Sequence, residues 1–179
     1  MTNILSAAQI FTIARIAGFQ PAEAVIATAI TQPEAGANAD AIQQDVPYYL
    51  QGWGLWQITP GNSVPSVAVD YGLLVPQANA DAAYVKFVGR HRTFLPWTTY
   101  TSGKYLKWMG WAQAGAQAAG AGNIVVPSGP GAGLGAGPGG SPDPQSLIPG
   151  TINAWQQLML LYNGDVPYYQ GTYSRLGPY

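Results

Sequence analysis

The chain contains no cysteine, so it can form neither a disulfide nor a thiolate-held zinc site. It has one histidine, His91, which excludes a two-histidine metal motif and argues against a Ser-His triad. Charge is scarce as well. Only 8% of residues are charged, with 7 basic and 8 acidic groups and a net of -1. That leaves no basic field for nucleic acid and no acidic tail, so no nucleic-acid partner is expected. No apolar run reaches the roughly eighteen residues of a membrane span, so none is expected. The opening stretch Met1–Phe19 is apolar, but no Lys or Arg precedes it and Arg15 interrupts it. It does not read as a signal peptide. No metal and no cofactor are expected.

Glycine, proline and aromatic residues are abundant, and they divide the chain. Its 179 residues suffice for one domain and a tail. Residues 110–150 are rich in Gly, Ala and Pro, with Asp143 as their only charge. Such a segment cannot bury enough apolar surface to offset its ordering entropy, and it reads as a linker. It contains Gly135-Ala-Gly137-Pro-Gly-Gly140. No strand precedes this match to a dinucleotide loop and prolines follow it, so it is fortuitous.

Residues 1–109 read as a small helical domain. Ser6-Ala-Ala-Gln9 fits a capping box, and Ile10, Ile13, Ala14 and Ala17 recur at helical spacing up to Gly18. Pro21 suits a first helical position ahead of an alanine-rich helix, Ala22 to about Gln32, which Pro33 should stop or kink. Further helices are expected over Ser63–Tyr71, Ala80–Val88 and Ser102–Met109. Residues 151–179 form a C-terminal segment: a helix with Ile152, Trp155, Leu158, Met159 and Tyr162 on one face, then an aromatic tail without periodicity. Its apolar stripe would need a partner. The motif Asp45-Val-Pro-Tyr-Tyr49 recurs at Asp165–Tyr169 and is too short to count as a repeat.

Ionisable candidates for chemistry are few. Glu34 lies where the second helix ends, among apolar neighbours. Burial there would disfavour its charged form, and a carboxylic acid held protonated is what protonation of a glycosidic oxygen requires. A bare Glu at a helix C-terminus is otherwise electrostatically unfavourable. In Gly52-Trp-Gly-Leu-Trp-Gln-Ile-Thr-Pro60, Gly54 would allow close backbone approach, and Gln57 offers a donor and an acceptor. An aromatic loop, Phe94–Tyr105, leads into the last helix of this part.

These stretches together resemble the lysozyme-like superfamily of soluble lytic transglycosylases and goose-type lysozymes, especially the branch found in phage tail proteins and endolysins. Glu34-Ala-Gly-Ala-Asn-Ala-Asp-Ala41 looks like that family's Glu-Ser-Gly-Gly-Asn-x-x-Ala. Gly54-Leu-Trp-Gln-Ile58 matches its Gly-Leu-(Phe/Trp)-Gln-Ile, and Trp97-Thr-Thr-Tyr100-Thr-Ser-Gly103 looks like its late Trp-x-x-Tyr-x-x-Gly. The resemblance implies a mainly α fold and cleavage of the MurNAc–GlcNAc β-1,4 bond of bacterial peptidoglycan. Glu34 would be the catalytic acid and base, Gln57 would bind glycan or peptide, and Tyr100 would face the carboxyl. It also implies carriage on a phage tail or other virion proteins, to which the linker and C-terminal segment would dock. Departures are Pro33 before the catalytic position, Ala35 for Ser, Ala37 for Gly and Thr101 where Asn is common. They keep open a structural virion component without catalysis, or a glycan-binding module.

Paired carboxylates serve most glycosidases. Asp45 is the candidate for a second carboxylate, while Asp40 suits a turn cap. Neither is a convincing nucleophile, so a single-carboxylate route fits better, with water and Asp45 as the alternative. Sugar rings stack on aromatic faces, which nominates Tyr48, Tyr49, Trp53, Trp97 and Tyr100 beside Gly54, Leu55 and Gln57. Core packing is the alternative for each aromatic, and Trp56 reads as core. Lys86, Arg90, His91, Arg92, Lys104 and Lys107 fall in an acid-free stretch. They read as the solvated face of two helices, with attraction to an anionic wall polymer as the alternative.

Overall fold

The computed structural model describes residues 2–47, 50–59 and 72–126. These form α1 (Ala7–Ala17), α2 (Pro21–Ala35), α3 (Pro76–Val88), α4 (Thr98–Thr101), a 3-10 helix (Lys104–Trp108) and α5 (Met109–Ala118). The fold is mainly α, as expected. Among the described residues, extended pairing is confined to the isolated bridges Ile4–Asn38, Ile42–Trp53 and Trp53–Ile58. The helix expected at Ser63–Tyr71, the C-terminal segment 151–179, Tyr48 and Tyr49 lie outside the described residues.

α1 starts on the capping box foreseen at Ser6. The Gln9 N–H donates to the Ser6 hydroxyl, and the Ser6 N–H donates to the Gln9 side chain at 2.9 Å. The helix ends at Gly18, whose φ of 117° suits a residue without Cβ. α2 begins at Pro21, and Glu23 caps it by accepting from the Gln20 N–H at 2.7 Å.

Pro33 does not stop α2. The helix continues to Ala35 and ends only at left-handed Gly36, whose N–H donates to the Gln32 carbonyl at 2.8 Å. Pro33 falls in the last turn, where one missing N–H is tolerated while the helix is held on its neighbours. Glu34 is therefore a helical residue with a fixed direction, not part of a flexible exit loop.

α2 is the central element. Glu23 through Thr31 are all buried, and α2 packs on α1, α4, α5 and the 3-10 helix. α1 packs in turn on α3 and α5. An aromatic series joins α1's exit to the later helices. Phe19 stacks on Phe94 at 5.9 Å between centroids, Phe94 meets Phe87 at 4.5 Å, and Tyr100 stacks on Tyr105 at 4.8 Å.

The helix expected over Ala80–Val88 starts earlier, because Pro76 occupies a first-turn position as Pro21 does. The helix expected over Ser102–Met109 is instead divided. α4 ends at Ser102, left-handed Gly103 reverses the chain, and the 3-10 helix leads into α5. α5 occupies the start of the Gly/Ala/Pro-rich stretch. It lies so close to α1 that a Cβ on Gly115 would sit 2.3 Å from that of Ala7.

Arg92 and Lys86 do not belong to a solvated face. Arg92 holds buried Glu23 through one edge of its guanidinium, with Nη2 at 2.6 Å from Oε2 and Nε at 3.0 Å from Oε1. This bidentate pair ties the α3–α4 loop to the start of α2.

Candidate active site

Glu34 stands half-buried in the last turn of α2. Thr99, the second residue of α4, donates its hydroxyl to Glu34 Oε1 at 2.6 Å. Burial pushes the Glu34 carboxyl above the usual carboxylate range. Thr99 and the ammonium groups of Lys86 and Lys104 draw it part of the way back. The outcome is a carboxyl fixed in orientation and inclined to keep its proton.

The segment Trp53–Ile58 is a tight loop closed by two bonds between its ends, Trp53 N–H to Ile58 O at 3.1 Å and Ile58 N–H to Trp53 O at 3.0 Å. Buried Asn79 of α3 pins it. The Asn79 amide donates to the carbonyls of Trp53 and Leu73, and its oxygen accepts from the Trp56 N–H at 2.9 Å. Gly54 has φ of 69°, and a Cβ there would lie 2.5 Å from the Leu73 carbonyl, so the close approach foreseen for it is present. The Trp56 side chain is enclosed and its indole N–H donates to the Ala27 carbonyl of α2 at 3.0 Å, which makes it core as expected. Trp97 repeats the device by donating its indole N–H to the Trp56 carbonyl at 2.9 Å. Two tryptophans thus link α2, the Trp53–Ile58 loop and the start of α4 in series, and α4 carries the residue that grips Glu34.

The site residues nominated from the sequence separate on this geometry. Leu55 has no exposed surface, so it supports the loop from within and cannot touch a ligand. Trp53, Trp97 and Tyr100 are buried. Gln57 folds back on its own loop: its amide donates to the Gly54 carbonyl at 2.8 Å, and its backbone adopts φ of 46°. Its amide nitrogen is therefore engaged in holding the loop. Thr99, not Tyr100, is bonded to the carboxyl, while the Tyr100 ring lies among Phe94 and Tyr105. Asp45 is exposed, and no hydrogen bond or ion pair joins it to Glu34. Asp40 accepts from the Asn3 N–H at 3.2 Å, as a turn-holding residue does.

A profile describing a lysozyme-like domain matches residues 11–99. This segment belongs to that family. No curated protein and no solved structure matches the chain. The match takes in Glu34, the Trp53–Ile58 loop, Asn79 and Thr99. Within the lysozyme-like domain, three contributors escaped the sequence reading. Thr99 sits in a run of Thr, Thr, Tyr and Thr where nothing distinguishes one hydroxyl from the next. Asn79 gave no sign of burial. Lys86 did carry a signal: it lies at helical spacing from the buried Ala82 and Ala83, on the inward side of α3. Among the described residues, no cluster of acidic groups and histidine could hold a metal ion, and no helix is long and apolar enough to cross a membrane.

Proposed function

We propose that the lysozyme-like domain cleaves the glycan strand of bacterial peptidoglycan at the MurNAc–GlcNAc β-1,4 bond, with Glu34 as its acid and then its base. One observation carries this reading: a desolvated carboxyl, held by the Thr99 hydroxyl, at the head of the Glu34–Ala41 stretch that resembles the family's acidic motif. In the first step the protonated Glu34 gives its proton to the glycosidic oxygen, and the bond from the sugar C1 to that oxygen breaks. The Glu34 carboxylate then takes a proton from the 6-hydroxyl of the same muramyl residue, and its oxygen closes on C1. The products are one strand ending in a 1,6-anhydro sugar and one carrying a free 4-hydroxyl. No water is consumed, so no second carboxylate is needed to activate one.

Carriage on a phage virion or tail, with the linker and the C-terminal segment 151–179 as the docking parts, is the second part of this proposal. It rests on the likeness of Trp97–Gly103 to the tail-lysozyme branch. Release of soluble fragments from purified cell walls tests the chemistry. The whole chain should solubilise them and Glu34→Gln should not. Binding without release by the unaltered chain would support a glycan-binding module instead. Immunogold labelling of particles tests the location, and label confined to the lysate fraction would contradict it.

A further inference from the structure

Lys86 is tied to the same turn of chain as Glu34. Its ammonium lies 4.8 Å from the centre of the Trp97 ring, within cation–π range. Two residues on, Thr99 holds the Glu34 carboxyl. The turn Trp97–Thr99 therefore carries Lys86 from α3 and Glu34 from α2. The two charges sense each other, yet they form no direct pair: among the described residues the only ion pair within 4.0 Å is Arg92–Glu23.

Among the described residues, no carboxylate pairs with Lys86 within 4.0 Å. The cations acting on Glu34 are Lys86 from α3 and Lys104 from the 3-10 helix, and Arg90, in the loop just after α3, adds to the positive field at Lys86. Burial pushes the Tyr105 phenol above its usual range, so it adds no negative charge here. When Glu34 holds the proton that it must donate, the charges acting on the site from the described residues are these cations. Burial pushes the Lys86 ammonium below its usual range, with Arg90 adding to that and Glu34 opposing it.

We infer that Lys86 determines specificity at this site, its ammonium placed to receive a carboxylate carried by the glycan beside the bond that Glu34 attacks. The inference rests on the peptidoglycan reading above. Two sources share this chemistry in such a strand, the lactyl carboxylate of a peptide-free muramyl residue and a carboxylate of the stem peptide. A neutral N-acetylglucosamine oligomer offers neither.

The test is equilibrium binding by calorimetry on the whole chain carrying Glu34→Gln, which prevents turnover and copies the uncharged acid. The probes are N-acetylglucosamine oligomers, peptide-free strands and peptide-bearing strands of equal length. At least one carboxylated strand should bind about tenfold more tightly than the neutral oligomer, and the better of the two identifies the source. Adding Lys86→Met should remove that preference and leave the neutral affinity in place, whereas Lys86→Arg should keep most of it. Equal affinity for all three probes, or a preference that survives Lys86→Met, overturns the assignment. Salt gives a reading independent of any variant: the preference should shrink as sodium chloride rises, and a salt-insensitive preference overturns it too. A Lys86-dependent preference in a protein whose unaltered form cuts no strand would sustain this inference and defeat the enzymatic reading.

Discussion

At the scale of the residue, Glu34 is governed by opposed influences. Burial favours its neutral form, while Thr99, Lys86 and Lys104 favour its charge, and burial prevails. Glu34→Gln should lower the cleavage rate by about a hundredfold or more, the usual contribution of a general acid. Stability should move the other way. A carboxyl raised in the folded state stabilises the fold below its unfolded value and loses that contribution as pH rises through the folded value. Thermal melts should therefore show Glu34→Gln above the unaltered protein at neutral pH, with the gap closing near pH 4; no gap at neutral pH would contradict the burial of the carboxyl. Thr99→Val removes a donor that favours the charged form, so the carboxyl should rise further. The alkaline limb of the rate–pH profile, where the acid loses its proton, should then shift upward. Glu34 itself was legible because apolar neighbours surround a lone acid at a helix end. Its partner was not, since choosing Thr99 over Tyr100 depends on how α4 is rotated, and four residues of short helix carry no periodicity to reveal that.

At the scale of the element, the Trp53–Ile58 loop depends on one side chain. Asn79 satisfies two carbonyls and one N–H that burial would otherwise leave unpaired. Asn79→Ala should cost about 3 kcal/mol in chemical denaturation, since each orphaned buried group costs roughly 1–3 kcal/mol. A loss below 1 kcal/mol would mean that water or rearrangement replaces those bonds. Helix starts and stops were readable where local chemistry dictates them, as at Ser6, Gly18, Pro21 and Gly36. They were misread where packing overrides it. Pro33 is carried inside α2 because the helix is clamped on several sides. The Trp53–Ile58 loop, by contrast, showed its glycines and its tryptophans but not the asparagine on another helix that holds it, because nothing local joins residues so far apart in sequence.

At the scale of the whole molecule, α5 extends the packed unit into a stretch whose composition reads as linker. Alanine and glycine there serve close helix contact: Gly115 meets Ala7 with no room for a methyl group. Gly115→Ala should force α5 away from α1 and cost about 1–3 kcal/mol, measurable as a fall in Tm; an unchanged Tm would mean that α5 contributes little to the fold. Small residues look alike in a linker and in a tight helix pair, which is why this boundary could not be read from composition. The arrangement converges on α2, whose last turn is held by α4 and whose flanks are covered by α1 and α5, so that one carboxyl stands fixed and partly desolvated. Mass spectrometry of the fragments released from purified peptidoglycan addresses that arrangement most directly. The account predicts glycan fragments with 1,6-anhydro ends from the unaltered chain and none from Glu34→Gln. Equal release by both proteins, or intact strands from both, would contradict it.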